Sequence, residues 1–252
     1  MIKQDHINEN QIENRKYLNK IIELDNIKSE HKINNLGLYL KTGSLSHILF
    51  LNEAYLLIKD IPGVIMEFGV WYGQNQILFE NLRAIYEPFN KLRKIIGFDT
   101  FTGYPELSKS NNDNKAIEKG YLNKDIYSLD NNYIKFLRET IFFHENNNVL
   151  NHIKKNEIIV GNVEETLDLY LINNNSTVIA LIYLDLALYK PTKYVLEKIK
   201  PYLIKGSVII FDEFNHPEIH GDTLAFREVF SNLDYEIRLS KYMREKTFLI
   251  IK

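Results

Sequence analysis

Short, almost wholly apolar runs recur along this chain, each followed by a polar turn and then by an amphipathic stretch. The runs are 64–69 (VIMEFG), 94–101 (KIIGFDTF), 156–162 (NEIIVGN), 177–185 (TVIALIYLD) and 207–214 (SVIIFDEF). Rich in Ile and Val and bounded by Gly, Asp or Asn, they read as strands buried on both faces. Between them, stretches such as 75–89 (NQILFENLRAIYEPF) and 192–203 (TKYVLEKIKPYL) carry helical periodicity. Alternating strands and helices with fully apolar strands predict an α/β fold, its parallel sheet covered by helices on both faces. Two last runs, 234–240 (DYEIRLS) and 246–252 (KTFLIIK), are split by a short polar turn. They predict an antiparallel edge hairpin, which brings the sheet to seven strands.

Two stretches depart from this rhythm. Residues 1 to 43 are polar, with scattered Ile and Leu at helical spacing, and predict a helical N-terminal extension. From Ser44, SLSHILFLNEAYLLIKD places apolar residues at helical intervals and ends before Ile61-Pro62-Gly63, punctuation that stops a helix. The domain proper is therefore expected over 44–252. Within it, about 102–128 (TGYPELSKSNNDNKAIEKGYLNKDIYS) is long, polar and rich in Asn and Lys. Such a segment inside a domain is either a lid over a site or a surface insertion.

Composition narrows the chemistry. The chain of 252 residues is long enough for a real core. Its formal net charge of −2 sets up no field that would recruit nucleic acid or an anionic membrane. It contains no cysteine, which removes disulfides, thiolate metal sites and cysteine nucleophiles. The first residues, MIKQDHINENQIENRK, lack the apolar core of a signal peptide. No apolar run approaches the ~20 residues of a membrane helix. The expected setting is the cytoplasm.

In an open parallel sheet, ligands bind beyond the carboxyl ends of the strands. Strand one ends in Glu67 and the loop FGVWYGQN, strand two in Asp99, and strand three in Gly161 and Asn162. Strand four ends in Asp185, and strand five in Asp212 and Glu213. One such acid would be read as a helix cap. Acids at four of five strand ends repel each other unless cations or donors sit among them. The spacing Gly69-x-x-x-Gly73 lets the backbone turn tightly beside a ligand, but it is not the G-x-G-x-x-G of a nicotinamide dinucleotide site. Glu67 in front of it would repel a pyrophosphate and suits a cofactor with a cationic part. Asp99 is placed to accept hydrogen bonds from ribose hydroxyls. A nucleoside with a positive tail, such as S-adenosylmethionine, fits both. Asp185, Asp212 and Glu213, on adjacent strand ends, offer the hard oxygen donors that Mg²⁺ takes. The plainer alternative is that Asp212 caps a following helix and Glu213 faces solvent.

Taken together, PGVIMEFGVWYGQN, IIGFDTFTGYPE, YLDLALYKPTKYVLEKIKPYLIKGSVIIFDEF and GDTLAF resemble the macrocin O-methyltransferase family, over roughly residues 40 to 230. The resemblance implies a Rossmann-like class I methyltransferase fold with a helical N-terminal extension and a lid insertion. It also implies Mg²⁺-dependent transfer of a methyl group from S-adenosylmethionine, with S-adenosylhomocysteine as product. The acceptor would be an oxygen of a sugar, sugar-nucleotide or related small molecule in bacterial cell-surface polysaccharide or natural-product biosynthesis. Residue by residue, Glu67, Gly69, Val70, Trp71 and Gly73 match the loop around the methionine part, and Asp99 matches the ribose acid. Gly161, Asn162 and Val163 match the turn beside the adenine. Asp185, Asp212 and Glu213 match the metal-binding acids, with Glu213 standing where the family usually has Asp.

The family pattern L-D-x-D-x-Y reads L-D-L-A-L-Y here, so Ala187 replaces a carboxylate thought to help deprotonate the acceptor. Three explanations stay open. Another residue serves as base beside Asp185, with Lys190, His216, His144 and His220 as candidates. A metal alone acidifies the hydroxyl. Or the acceptor oxygen is already anionic, in a phosphate, phosphoramidate or carboxylate, and needs no base. A nucleotide-dependent oxidoreductase, a non-catalytic cofactor-binding relative and an RNA methyltransferase are the rival readings, and the missing glycine motif and the charge weigh against the first and last. The partner is expected to be a small-molecule acceptor, with no nucleic acid and no membrane, and the N-terminal helices offer a surface for a homodimer.

Overall fold

The computed structural model describes residues 9–104, 112–123 and 125–252. The chain divides into two units, Met1–His47 and Ile48–Lys252. The first holds α1 (Glu9–Leu24), α2 (Ser29–Asn34) and a 3₁₀ turn, Leu36–Leu38. Here Asp25 accepts the Tyr39 hydroxyl at 3.0 Å and pairs with Lys32 at 2.7 Å, while α2 buries no residue. The expected N-terminal helices thus fall partly on α1 and α2, and residues 1–8 lie outside the described residues.

The second unit takes most of α3 (Thr42–Ile58), then β1 (Val64–Phe68), α4 (Gln74–Tyr86), β2 (Ile95–Asp99), α5 (Asn114–Glu118), α6 (Asn131–Asn147) and β3 (Asn156–Val160). Next come α7 (Val163–Asn173), β4 (Ile179–Leu184), α8 (Tyr189–Ile199), β5 (Leu203–Phe211), α9 (Gly221–Val229), β6 (Tyr235–Leu239) and β7 (Thr247–Ile251). The sheet runs β3-β2-β1-β4-β5-β7-β6; β1 to β5 are mutually parallel, and β7 is antiparallel to both its neighbours. It is the expected seven-stranded, mostly parallel sheet. Strand order reverses at β1, with β2 on one side and β4 on the other, and a crevice opens there beyond the carboxyl ends.

Period-two alternation divides the core between the two faces. Met66 and Phe68 of β1 join the cluster covered by α7, α8 and α9, while Ile65 joins the one covered by α3 and α4. On α3, Phe50, Leu51, Ala54, Tyr55 and Ile58 recur at helical spacing and are fully buried. Two elements differ from the apolar pattern. β5 begins at Leu203 rather than Ser207: Pro201 turns the chain in a 3₁₀ turn, and Gly206 at φ 91° lets the strand bulge between its Ile179 and Leu181 pairings. The pattern does not single out the 17-residue helix α6, whose inner residues Leu137 and Ile141 cover Val70, Phe101 and Ile158.

Of the segment read as a lid, residues 105–111 and 124 lie outside the described residues. The stretch 112–123 is packed. Ala116 of α5 and Leu122 are buried against Ala187, Leu188 and Ile219. Asp113 accepts the backbone N–H of Tyr189, the first residue of α8, at 3.1 Å. Lys115 and Lys119 both pair with Glu218, at 3.0 and 2.6 Å.

Candidate active site

The hydrogen-bond ladder of the sheet continues past the ends of its strands. Gly161 N–H donates to the Asp99 carbonyl, Gly69 N–H to Phe98, Asp185 N–H to Phe68 and Asp212 N–H to Leu184. Asp99, Gly69, Asp185 and Asp212 thereby stand side by side along one edge. A cavity opens over that edge. Its walls include Gly69, Trp71, Asp99, Gly161, Asn162, Val163, Asp185 and Lys190, together with Phe98, Tyr104 and Tyr127.

On the β1–β2 side the backbone builds the site. Gly69 holds φ 91°, and a Cβ there would come 2.1 Å from the carbonyl oxygen of Asp185. Only glycine permits the β1 and β4 loops to pass so closely. Asp99 accepts the backbone N–H of Trp71 with one oxygen and that of Phe101 with the other, each at 2.7 Å. Its carboxylate is fixed at the cavity wall with lone pairs to spare. Asn162 caps α7 by accepting Glu164 N–H at 3.1 Å, so the Gly161 turn leads straight into a helix N-terminus.

Three residues expected at the cofactor stand behind this wall instead of in it. Glu67 is buried and accepts the side-chain amides of Asn75 and Gln76, both at 2.8 Å. Burial pushes its carboxyl up to about 8 against those donors. Val70 packs into the α6 cluster, and Gly73, in the left-handed region at the start of α4, lies against Leu137. They shape the loop and do not line the cavity.

On the β4–β5 side the charges are carried by side chains. Asp185 is solvent-accessible through the cavity but otherwise enclosed. Burial, then repulsion from Asp212, hold its carboxyl well above the usual range, and Lys246 works the other way. Burial and Asp212 likewise push Glu213 up to about 7. Asp222, fully buried at the start of α9, accepts the Thr192 hydroxyl and the Glu213 N–H at 3.2 Å each, and burial pushes it up to about 7. Asp212 accepts the Tyr183 hydroxyl at 2.7 Å and is ion-paired with Lys246. Although burial opposes its charged form, Lys246 is held above its ordinary value by Asp212. The sequence contains Lys246, Asp222 and Tyr183 but gives no sign of their meeting. The same holds for Tyr104 and Tyr127, in the 102–128 segment; burial raises both, Tyr127 to about 12.

The expected metal set is met differently. Among the described residues no three His, Asp or Glu side chains are gathered so as to hold a metal ion. Asp212 caps no helix: its carboxylate is engaged by Tyr183 and Lys246.

The candidate bases are dispersed. Lys190 lines the cavity but is exposed and pairs with Glu164 at 3.3 Å. His216 is outside the cavity lining; its Nδ1 accepts the N–H groups of Glu218 and Ile219 at 3.1 and 3.0 Å. The neutral ring then carries its proton on Nε2, 3.9 Å from Glu213, and has no lone pair left for an acceptor hydroxyl. His220 contacts the Pro217 carbonyl through Nε2, and His144 lies on α6 against Phe143. Ala187 sits at φ 57°, buried in the apolar cluster beneath α5. A carboxylate there would lose its water to the packed segment.

A family model, macrocin-O-methyltransferase (TylF), matches residues 52–237. The crystal structure of CalS11, a calicheamicin methyltransferase, is 35% identical, with a TM-score of 0.88 over 97% of this chain and 94% of that one. The apo structure of CalS11, described as a TDP-rhamnose 3'-O-methyltransferase, is also 35% identical, with a TM-score of 0.83 over 97% and 96%. The O-methyltransferase NovP shares the fold at 17% identity, with a TM-score of 0.62 over 82% and 80%. No curated protein matches.

Proposed function

Because the chain belongs to the macrocin O-methyltransferase family, we propose that it moves a methyl group from S-adenosylmethionine to a hydroxyl of a nucleotide-linked sugar. The observation that carries this reading is the cavity at the switch point of the sheet, with Asp99 held by two backbone N–H groups on one side and Asp185 on the other. A ribose fits the first side. Gly69 and Gly161 let backbone approach the rest of a nucleoside, and Trp71 and Val163 supply apolar walls. The cofactor's sulfonium supplies an activated methyl group, so the chain has to orient the acceptor, exclude water and take up one proton. Asp185, open to the cavity and raised in pKa, suits the last task as its carboxylate form. Tyr104 and Tyr127 also line the cavity.

Two finer expectations fare differently. A neutral hydroxyl is favoured over an anionic acceptor oxygen, because Asp185, Glu213 and Asp222 each feel the repulsion of Asp212, and such a cluster of acids would repel an anion. Dependence on Mg²⁺ is not supported: Oδ1 of Asp212 already takes the Tyr183 hydroxyl and the Lys246 ammonium, so a divalent ion on that carboxylate would sit beside a cation. No step is assigned to a metal. The sugar class follows CalS11, whose described substrate is TDP-rhamnose. The test is incubation with S-adenosylmethionine and TDP-rhamnose, other nucleoside diphosphate sugars, free sugars and sugar phosphates, read by mass spectrometry. A one-methyl gain on a nucleotide sugar is expected. Methylation confined to free sugars or sugar phosphates would overturn the acceptor class, and calorimetry showing binding of NAD but not S-adenosylhomocysteine would overturn the cofactor.

A further inference from the structure

The acid cluster at the β4–β5 edge contains its own cation, and the sheet puts it there. β5 and β7 are antiparallel with Phe211 opposite Thr247. The next pair outward is therefore Asp212 and Lys246. Opposite charges facing each other across an antiparallel pair are an intrinsic feature of the register, not of one side-chain rotamer. The backbone of Lys246 is pinned as well: its N–H donates to Met243 and its carbonyl accepts from Ser240, each at 3.0 Å. The ammonium reaches the carboxylate of Asp212 and lies 3.3 Å from the Asp212 carbonyl oxygen. The Lys246 side chain is only 11% exposed and that of Asp212 13%, so water screens the pair little.

Both donors to Asp212 converge on the same oxygen, Oδ1, which takes the Tyr183 hydroxyl and the ammonium together. A divalent ion on Asp212 would have to sit beside the ammonium at unfavourable like-charge distance or expel it into a pocket where little water compensates it. Lysine, a compact charge with three donors, meets the need that the crowded acids create. We infer that Lys246 is the resident cation of this site, occupying the role a divalent ion would otherwise fill, and that methyl transfer by this chain proceeds without a metal. Lys246 acts through Asp212 and so is a positioning residue: it holds the Asp212 carboxylate in place at the β4–β5 edge.

This inference rests on the O-methyltransferase reading, but its first test does not. Free Mn²⁺ is followed by electron paramagnetic resonance as the unaltered protein is titrated in, with and without S-adenosylhomocysteine. The free Mn²⁺ signal is expected to persist at equimolar protein, and loss of that signal would overturn the proposal whether or not an acceptor has been found. Turnover is then measured after dialysis against EDTA. It is expected to be unchanged, and abolition restored by Mg²⁺ would overturn the proposal. Lys246→Met should lower kcat by up to the roughly 10²–10⁴-fold that a positioned proton acceptor contributes, with S-adenosylhomocysteine affinity unchanged. Lys246→Arg, which keeps the charge, should recover most of the loss. A Lys246→Met protein as active as its parent in EDTA would overturn the assignment. Absence of turnover on every acceptor, with Mn²⁺ still free, would count against the proposed acceptor and leave the cation assignment standing.

Discussion

The two halves of the cavity solve one problem by different means. Asp99 and Asp185 are both aspartates at the end of a buried strand, on the same sheet edge. Asp99 is held by backbone: two N–H groups from the loops around it bind and aim its carboxylate. Asp185 has other acids for neighbours, and the balancing charge comes from Lys246, two strands away. A carboxylate fixed by main chain is a binding element, insensitive to which side chains surround it. One placed among side-chain charges is tunable, and a reaction that must accept a proton near neutral pH needs the tunable kind.

Substitutions that exchange these environments test the comparison. Asp185→Asn should have the largest effect, a loss of roughly 10²–10⁴ in kcat if the carboxylate is the proton acceptor, with calorimetric affinity for S-adenosylhomocysteine nearly intact. Asp99→Ala should do the reverse. It orphans two N–H groups and removes the proposed ribose contact, weakening S-adenosylhomocysteine by about 1–3 kcal/mol while the turnover of saturated enzyme falls less. The pH profile separates the halves further. A raised carboxyl is protonated below its pKa, so the base form of Asp185 accumulates as pH rises. The acidic limb of kcat/KM is therefore expected well above the ordinary carboxylate range, and Lys246→Met should move it higher still, because Lys246 lowers Asp185. A limb near pH ~4, the ordinary carboxylate value, would remove Asp185 from the role. His216→Gln should change least, by under about threefold in kcat, as expected for a substitution away from the reacting atoms. A loss as large as that of Asp185→Asn would mean the imidazole reaches the acceptor.

Most of the scaffold is legible in periodicity. Strands buried on both faces have to be apolar throughout, and a parallel sheet has to present its strand ends together, so the acids at 99, 185, 212 and 213 stand out as a group. Residues whose role depends on distant partners do not. Glu67 reads as a ligand contact because it precedes the glycine turn, but Asn75 and Gln76, at the start of α4, draw it into the interior. His216 reads as a base, but its own loop folds two N–H groups onto Nδ1. The helix α6 is faint in the pattern because its buried face is only partly apolar, covering a small satellite cluster and not the main core.

What the sequence determined by itself is what local chemistry determines: where strands run, where glycine alone can turn, and which residue types gather at one edge of a sheet. What only the tertiary structure decided is how the charges at that edge are balanced. Lys246 stands 34 residues beyond Asp212 in the chain and meets it because β7 inserts antiparallel beside β5 with one particular register. No local pattern encodes a register between strands. It comes from packing both faces of the sheet at once, and here it determines which cation the acids receive.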